Sequence, residues 1–168
     1  MTYFYGCLWK CVLCNPAIRL PAIIFVNSKF DKKRQMEDQM EFLGTDCDCM
    51  AEAVCSSLQD TSILVQRHTL DFILAGFPLN QCVLDQKDRI RLCTSSLVVL
   101  LRRDVGLNRR LYQWIFGAEA AVTDTSDAQS ATMEYFKQHS APIVLEALRN
   151  LFSVSTNGLR SALHRKVY

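Results

Sequence analysis

Apolar residues recur three and four positions apart through most of this chain, and nowhere do they alternate every second residue over a sustained stretch. That period places side chains on one face of an α-helix. Leu107, Leu111, Trp114 and Ile115 follow it, as do Ile90, Cys93, Leu97 and Leu101 within 88–103. Ile63, Leu70, Ile73 and Leu74 form a third stripe, and Ile143, Ala147, Leu148 and Leu151 a fourth. The expected fold class is therefore all-α, with no strand.

The helix boundaries have mechanisms. Thr45 with Asp48 three residues on resembles a weak capping box ahead of a helix over 50–58. Gly76 and Pro78 stop a helix that starts near Ser62, because proline disfavours helical backbone in the residue before it. Asp104 and Gly106 end one helix, and Asp104 or Asn108 caps the next. Residues 118–129, rich in Ala, Thr, Ser and Asp, read as a long loop.

A loose repeat underlies these helices. Three segments share a turn residue, an apolar–arginine element and an apolar helix: Asn15 to Arg19, Asp60 to Arg67, and Asp104 to Arg109. By subtraction the arginines lie 48 and 42 positions apart. Paired-helix solenoid repeats of the HEAT and armadillo type run about 40–47 residues. Each unit of such an array covers its apolar face only by stacking on a neighbour. An arginine of one unit and the acidic turn residue of the next are then placed to bond, which suits the fixed fork of guanidinium donors.

Composition narrows the function. At 168 residues the chain is one domain or a slice of a longer array, and its 49% apolar share is enough for a core. A net charge of +2 is too small to imply nucleic acid. No apolar run is long enough to span a bilayer, and the amino terminus lacks the basic-then-apolar order of a secretory signal. The reading is a cytosolic protein, peripheral to a membrane at most, whose eight cysteines are small hydrophobes rather than disulfides.

The chemical motifs are sparse. Cys7-x3-Cys11-x2-Cys14 has the spacing of the radical S-adenosylmethionine cluster signature, in which three thiolates hold a four-iron cluster. The same spacing is one face of a helix, and no glycine-rich loop or βα unit follows, so the helical reading is preferred. Cys47-x-Cys49 lacks a second close pair for zinc, and His68, His139 and His164 are scattered singly. It reads as an acidic first helical turn favoured by the helix dipole. Glu37, Asp38 and Glu41 read as a solvated helical face. No nucleophile elbow, phosphate loop or dinucleotide fingerprint occurs, so neither catalytic, cofactor nor metal residues are assigned.

The segment 100–117, LLRRDVGLNRRLYQWIFG, carries two arginine pairs around Asp104 and Asn108. Three readings apply. Asp104 can pair with an arginine in a repeat joint. Arg102, Arg103, Arg109, Arg110, Tyr112 and Trp114 can form a partner surface, since these residue types are enriched in binding hot spots. The arginines can also meet phosphate groups of lipid or nucleic acid. The joint ranks first and the partner surface second.

This segment resembles the hallmark stretch of the Dopey family: leucine-arginine-arginine-aspartate, two variable positions, then leucine-asparagine-arginine-arginine-leucine-tyrosine and a tryptophan. Three further stretches fit that family's amino-terminal region in order. They are Trp9-Lys-Cys11 with Arg19-Leu20-Pro21-Ala22, Ala51-Glu52-Ala53-Val54 with Gln59-Asp60-Thr61-Ser62, and Val65-Gln66-Arg67 through Leu70-Asp71 to Phe77-Pro78. The chain departs at Val105-Gly106, where the family commonly shows methionine and serine.

The resemblance spans roughly residues 5–151. It implies part of a Dopey-type amino-terminal helical domain over 1–152, followed at 153–168 by a polar basic tail, disordered or a fragment end. It implies a non-catalytic scaffold or adaptor for vesicle-mediated protein transport between endosomes and the Golgi, peripheral on the cytosolic side of those membranes. The partners implied are a large Mon-two-type trafficking scaffold, kinesin light chain and a phosphoinositide surface, with no nucleic acid.

Overall fold

A computed structural model gives the structure. It describes the backbone of residues 2–30, 43–44, 46–117 and 126–164, and the side chains of these except 2, 126–128 and 154–164. Among the described residues the secondary structure is helical, without a strand.

The elements are α1 (Thr2–Cys14), a 3-10 turn (Pro16–Ile18), α2 (Arg19–Lys29), α3 (Cys47–Leu58), α4 (Ile63–Gly76) and α5 (Gln86–Val98). A second 3-10 turn (Val99–Arg102) leads to α6 (Val105–Phe116), and α7 (Ser126–Tyr135) passes through a π turn (Phe136–Ser140) into α8 (Ala141–His164).

These helices stack in two rows. In the first row α1 packs on α3, α3 on α5, and α5 on α8. In the second, α2 packs on α4 and α4 on α6. The pairs α1/α2, α3/α4 and α5/α6 each contribute one helix to each row, and α8 extends the first row, so the expected helical repeat array is present. The core lies between the rows, built from Trp9, Ile23, Met50, Leu58, Phe72, Ile73, Leu92, Leu107 and Trp114. Phe72 stands at its centre, 6.0 Å from the ring of Trp9 and edge-on to Phe30 and Phe77 at 5.7 and 5.4 Å.

Turns from first to second row are short, at 15–18, 59–62 and 99–104. Returns are longer, and their buried residues fasten them. Trp9 Nε1 donates to the Leu43 carbonyl at 3.0 Å, and Phe77, Leu79 and Leu84 sink into the core. Trp114 Nε1 donates to the Phe77 carbonyl at 2.7 Å. Each indole is thus buried with its one donor satisfied, as burial of that ring requires.

Several boundaries differ from those the sequence suggests. Asp46 caps α3 by accepting from the Cys49 amide at 3.0 Å, so the helix starts at Cys47, three residues before the expected Met50. Thr45 lies outside the described residues, as do Glu37, Asp38 and Glu41. The first helix of the 88–103 stripe ends at Val98 and tightens into a 3-10 turn, which swings Leu101 out to 80% exposure. Gly106 does not stop a helix but sits in the first turn of α6. The left-handed residue that glycine usually supplies at a helix end is instead Arg103, at φ 55°. Of the long loop expected over 118–129, residues 126–129 begin α7, and 118–125 lie outside the described residues. The α8 backbone runs through His164.

Candidate functional site

The seam between successive units is built on the short turns. Asp60 is its hub. Its Oδ2 accepts from Arg19 Nη1 at 2.9 Å, its Oδ1 from the Ser62 amide at 2.8 Å, and its carbonyl from Arg102 Nη2 at 3.0 Å. Arg19 opens α2 directly after the first turn, Ser62 leads into α4, and Arg102 lies in the third turn. One residue therefore ties three successive units. The Arg19 and Asp60 side chains are 14% and 8% exposed, and Arg19 Nε also donates to the Val12 carbonyl at 3.1 Å.

The arginine-to-turn-acid bond expected between units is realised at this first interface. It is not copied at the second. Arg67 and Arg109 are the fifth residues of α4 and α6, whereas Arg19 is the first of α2, so the three arginines differ in register. Asp104 pairs with no arginine in the ion pairs seen among the described residues. It spends Oδ1 on the Leu107 amide at 2.8 Å, capping α6. Of its two suggested caps the segment uses Asp104, not Asn108.

The four arginines of 100–117 therefore divide. Arg102 is committed to Asp60. Arg110 bonds Asp71 of α4 at 2.6 Å and the Gly106 carbonyl at 3.0 Å, which ties α6 to α4. Arg103 and Arg109 are exposed, with no ion pair among the described residues. The aromatic residues divide likewise. Trp114 is 2% exposed and belongs to the core, which corrects its place in the expected partner surface, whereas Tyr112 is 50% exposed.

Alongside Arg109 and Tyr112 runs a groove of about 880 Å³ lined by Val105, Asn108, Phe116 and Thr132. Val105, Arg109, Tyr112 and Phe116 recur at four, three and four positions, so the outward face of α6 was legible from spacing. Arg109 and Tyr112 belong to the expected partner surface, whereas Val105 and Phe116 escape it because the face mixes apolar and charged types. The repeat marks Asp60 as the turn acid that meets Arg19, but the Asp60 carbonyl as acceptor of Arg102 and Asp71 as acceptor of Arg110 carry no spacing signal.

A matching network joins the first row. Arg91 Nη1 of α5 reaches Asp48 of α3 at 2.7 Å and Asp88 at 3.1 Å. The neighbouring thiols of Cys47 and Cys49 titrate above their ordinary range, through burial first and nearby carboxylates second. That environment opposes the thiolate a zinc site needs. Cys7, Cys11 and Cys14 are exposed on α1 and spread along about 10.5 Å of helix axis. No group of three ligating side chains able to hold a metal ion occurs among the described residues. The Cys7, Cys11 and Cys14 spacing forms one face of the helix α1.

The family model described as "Dopey, N-terminal" matches residues 1–120. The chain belongs to the Dopey family. Its relatives include the protein DOP1 homolog of Drosophila melanogaster, 40% identical over 157 residues, and protein pad-1 of Caenorhabditis elegans, 38% identical over 160. Protein DOP1B of Xenopus laevis is 34% identical over 168. These matches cover 87%, 91% and 91% of this chain but only 6–7% of the relatives' own lengths. No solved structure matches.

Within this Dopey segment, the hallmark residues acquire physical roles. Arg102 and Arg110 tie units together, Asp104 caps α6, and Leu107, Leu111 and Trp114 fill the core. Arg103, Arg109 and Tyr112 are left facing outward.

Proposed function

We propose that this segment is part of a non-catalytic scaffold in vesicle-mediated protein transport between endosomes and the Golgi, held on the cytosolic side of those membranes. Membership of the Dopey family over residues 1–120 carries the reading. The geometry supports it: carboxylates of neighbouring helices are committed to arginines across the stack, Asp60 to Arg19, Asp71 to Arg110 and Asp48 to Arg91, as a load-sharing joint requires. A Mon-two-type scaffold and kinesin light chain are its proposed partners. Co-purification of the chain with each from cell lysate tests this. Recovery of the Mon-two-type protein, lost when Arg109 and Tyr112 are both replaced by alanine, is expected. Absence of both partners refutes the scaffold reading for this segment.

A second reading is a phosphoinositide surface, favoured by the outward position of Arg103 and Arg109. It requires salt-sensitive sedimentation with phosphoinositide liposomes, lost in the Arg103→Gln/Arg109→Gln double variant. Sedimentation unchanged by that pair of substitutions rules it out.

A further inference from the structure

One helix face in this molecule goes against the ordinary behaviour of its residues. Cysteine is among the most buried residue types, and the chain buries Cys55 and Cys93 and half-buries Cys47, Cys49 and Cys82. Its three exposed cysteines all lie on α1. At 3.6 residues per turn, Cys7, Cys11 and Cys14 fall within an arc of about 60°. The opposite side of the same helix holds Tyr5, Trp9 and Val12, each 2% exposed or less. The thiols are therefore presented outward by a helix whose other face is locked into the core.

The surroundings of the thiols are apolar and aromatic. Tyr3, one turn before Cys7, is 89% exposed, and Phe4 is 53% exposed. Phe4 stacks edge-on with Phe25 of α2 at 5.8 Å, and Ile24 and Phe25 are themselves 43% and 37% exposed. Lys10 is exposed between the cysteines, and Lys29 Nζ stands 6.0 Å from the Phe25 ring centroid. Aromatic rings edged by lysines match the composition that settles at a membrane–water boundary. No helix among the described residues is long and apolar enough to cross a membrane, and the net charge of +2 gives little general attraction to anionic lipid.

We infer that the outward face of α1 is an S-acylation site, with Cys7, Cys11 and Cys14 as acceptors of long-chain fatty acyl groups. Cysteines on an amphipathic helix beside a membrane are the usual acceptors of this reversible modification. The thiolate Sγ attacks the carbonyl carbon of a fatty acyl thioester, held by coenzyme A or an acyltransferase. The bond from that carbon to the donor sulfur breaks, the donor leaves as a thiol with the proton given up by the cysteine, and a new thioester forms at Sγ. Nothing is oxidised or reduced.

The number of acceptors matters. A single acyl chain holds a protein to a bilayer only marginally, whereas two chains hold it stably. Three acceptors on one face therefore give an anchor that survives loss of one chain and releases on loss of two. The orientation follows as well: α1 and the Tyr3–Phe4–Phe25 patch face lipid, and the array extends away from it through α3 and α5. The inference stands without the transport reading, because its readout is the thiol and not a partner.

The test uses the full chain expressed in eukaryotic cells. Free thiols are blocked under denaturing conditions, thioesters are cleaved with neutral hydroxylamine, and the thiols released are tagged with maleimide-polyethylene glycol. A hydroxylamine-dependent ladder is expected, losing one step with each of Cys7→Ser, Cys11→Ser and Cys14→Ser and vanishing in the triple variant. Single variants keep the protein in the membrane fraction at high salt, and the triple variant releases it. Mass spectrometry of the wild-type tryptic peptides 1–10 and 11–19 needs no variant, and shows acyl adducts on both if the inference holds. No ladder, or a ladder unchanged in the triple variant, overturns it. Unmodified peptides only, or membrane retention abolished by salt alone, overturn it too.

Discussion

Asp60→Ala is the substitution that most directly tests the seam. It removes the acceptor of Arg19 and of the Ser62 amide while leaving the Asp60 carbonyl, and hence the Arg102 bond, in place. Breaking one side of a buried ion pair costs about 3–5 kcal/mol. With side chains 14% and 8% exposed, this pair belongs near the lower end of that range, about 3 kcal/mol. Loss of the acceptor of the Ser62 amide, in the turn just before α4, adds about 1 kcal/mol. The expected total is about 4 kcal/mol, a large share of the 5–15 kcal/mol that holds an ordinary domain together.

Asp60→Asn keeps an oxygen for the Ser62 amide and loses the charge, so its expected cost is smaller, about 2–3 kcal/mol. Urea unfolding of the chain reads both. For a slope of about 2 kcal/mol per molar, Asp60→Ala lowers the midpoint by about 2 M without changing the slope. A double-mutant cycle with Arg19→Met isolates the pair and is expected to show a coupling of about 2 kcal/mol. If Asp60→Ala costs less than about 1 kcal/mol, or no more than Asp60→Asn, the hub reading is wrong.

Trp114→Ala destabilises by about 3–5 kcal/mol, whereas Tyr112→Ala stays within about 0.5 kcal/mol, because one ring is core and the other is surface; thermal melting separates them. Arg103→Gly raises stability by about 1 kcal/mol, relieving a left-handed side-chain-bearing residue at φ 55°; an unchanged or lowered urea midpoint contradicts this. Burial pushes the Cys93 thiol from 9.0 up to about 12. Above its unfolded value the unfolded chain gives up the proton first, so stability falls as pH rises between those values, by about 1.4 kcal/mol per pH unit from this group. Cys93→Ala flattens that slope in unfolding measured across the alkaline range, and an unaltered slope assigns it elsewhere.

Much of this architecture is written in local residues. The stripe of Leu107, Leu111, Trp114 and Ile115 is buried throughout, because all four fall on one face of a single helix with its cap at Asp104. The stop at Gly76 before Phe77-Pro78 is equally local. Leu101 misled because the helix tightens to 3-10 geometry two residues earlier and the face rotates away. Ser126 to Gln129 misled because their composition favours turns, yet the chain carries them into α7. The repeat names the turn acid that meets Arg19, whereas the acceptors of Arg102 and Arg110 are set by stacking of units and not by spacing, so the sequence offers those donors without naming their acceptors. The same limit hid the outward face of α1, where helical spacing groups three cysteines but only packing decides which side of the helix meets water.

The two edges of the array differ in a way that bears on its mechanics. Short turns at 15–18, 59–62 and 99–104 are drawn together by Asp60, while the described return at 77–85 is longer. Such a stack behaves like a bound book. The stitched edge is the spine, about which a bend of the stack is expected to hinge. Curvature is then governed from the return side, where a wedge between helix ends turns a small local displacement into a change of direction along the whole array.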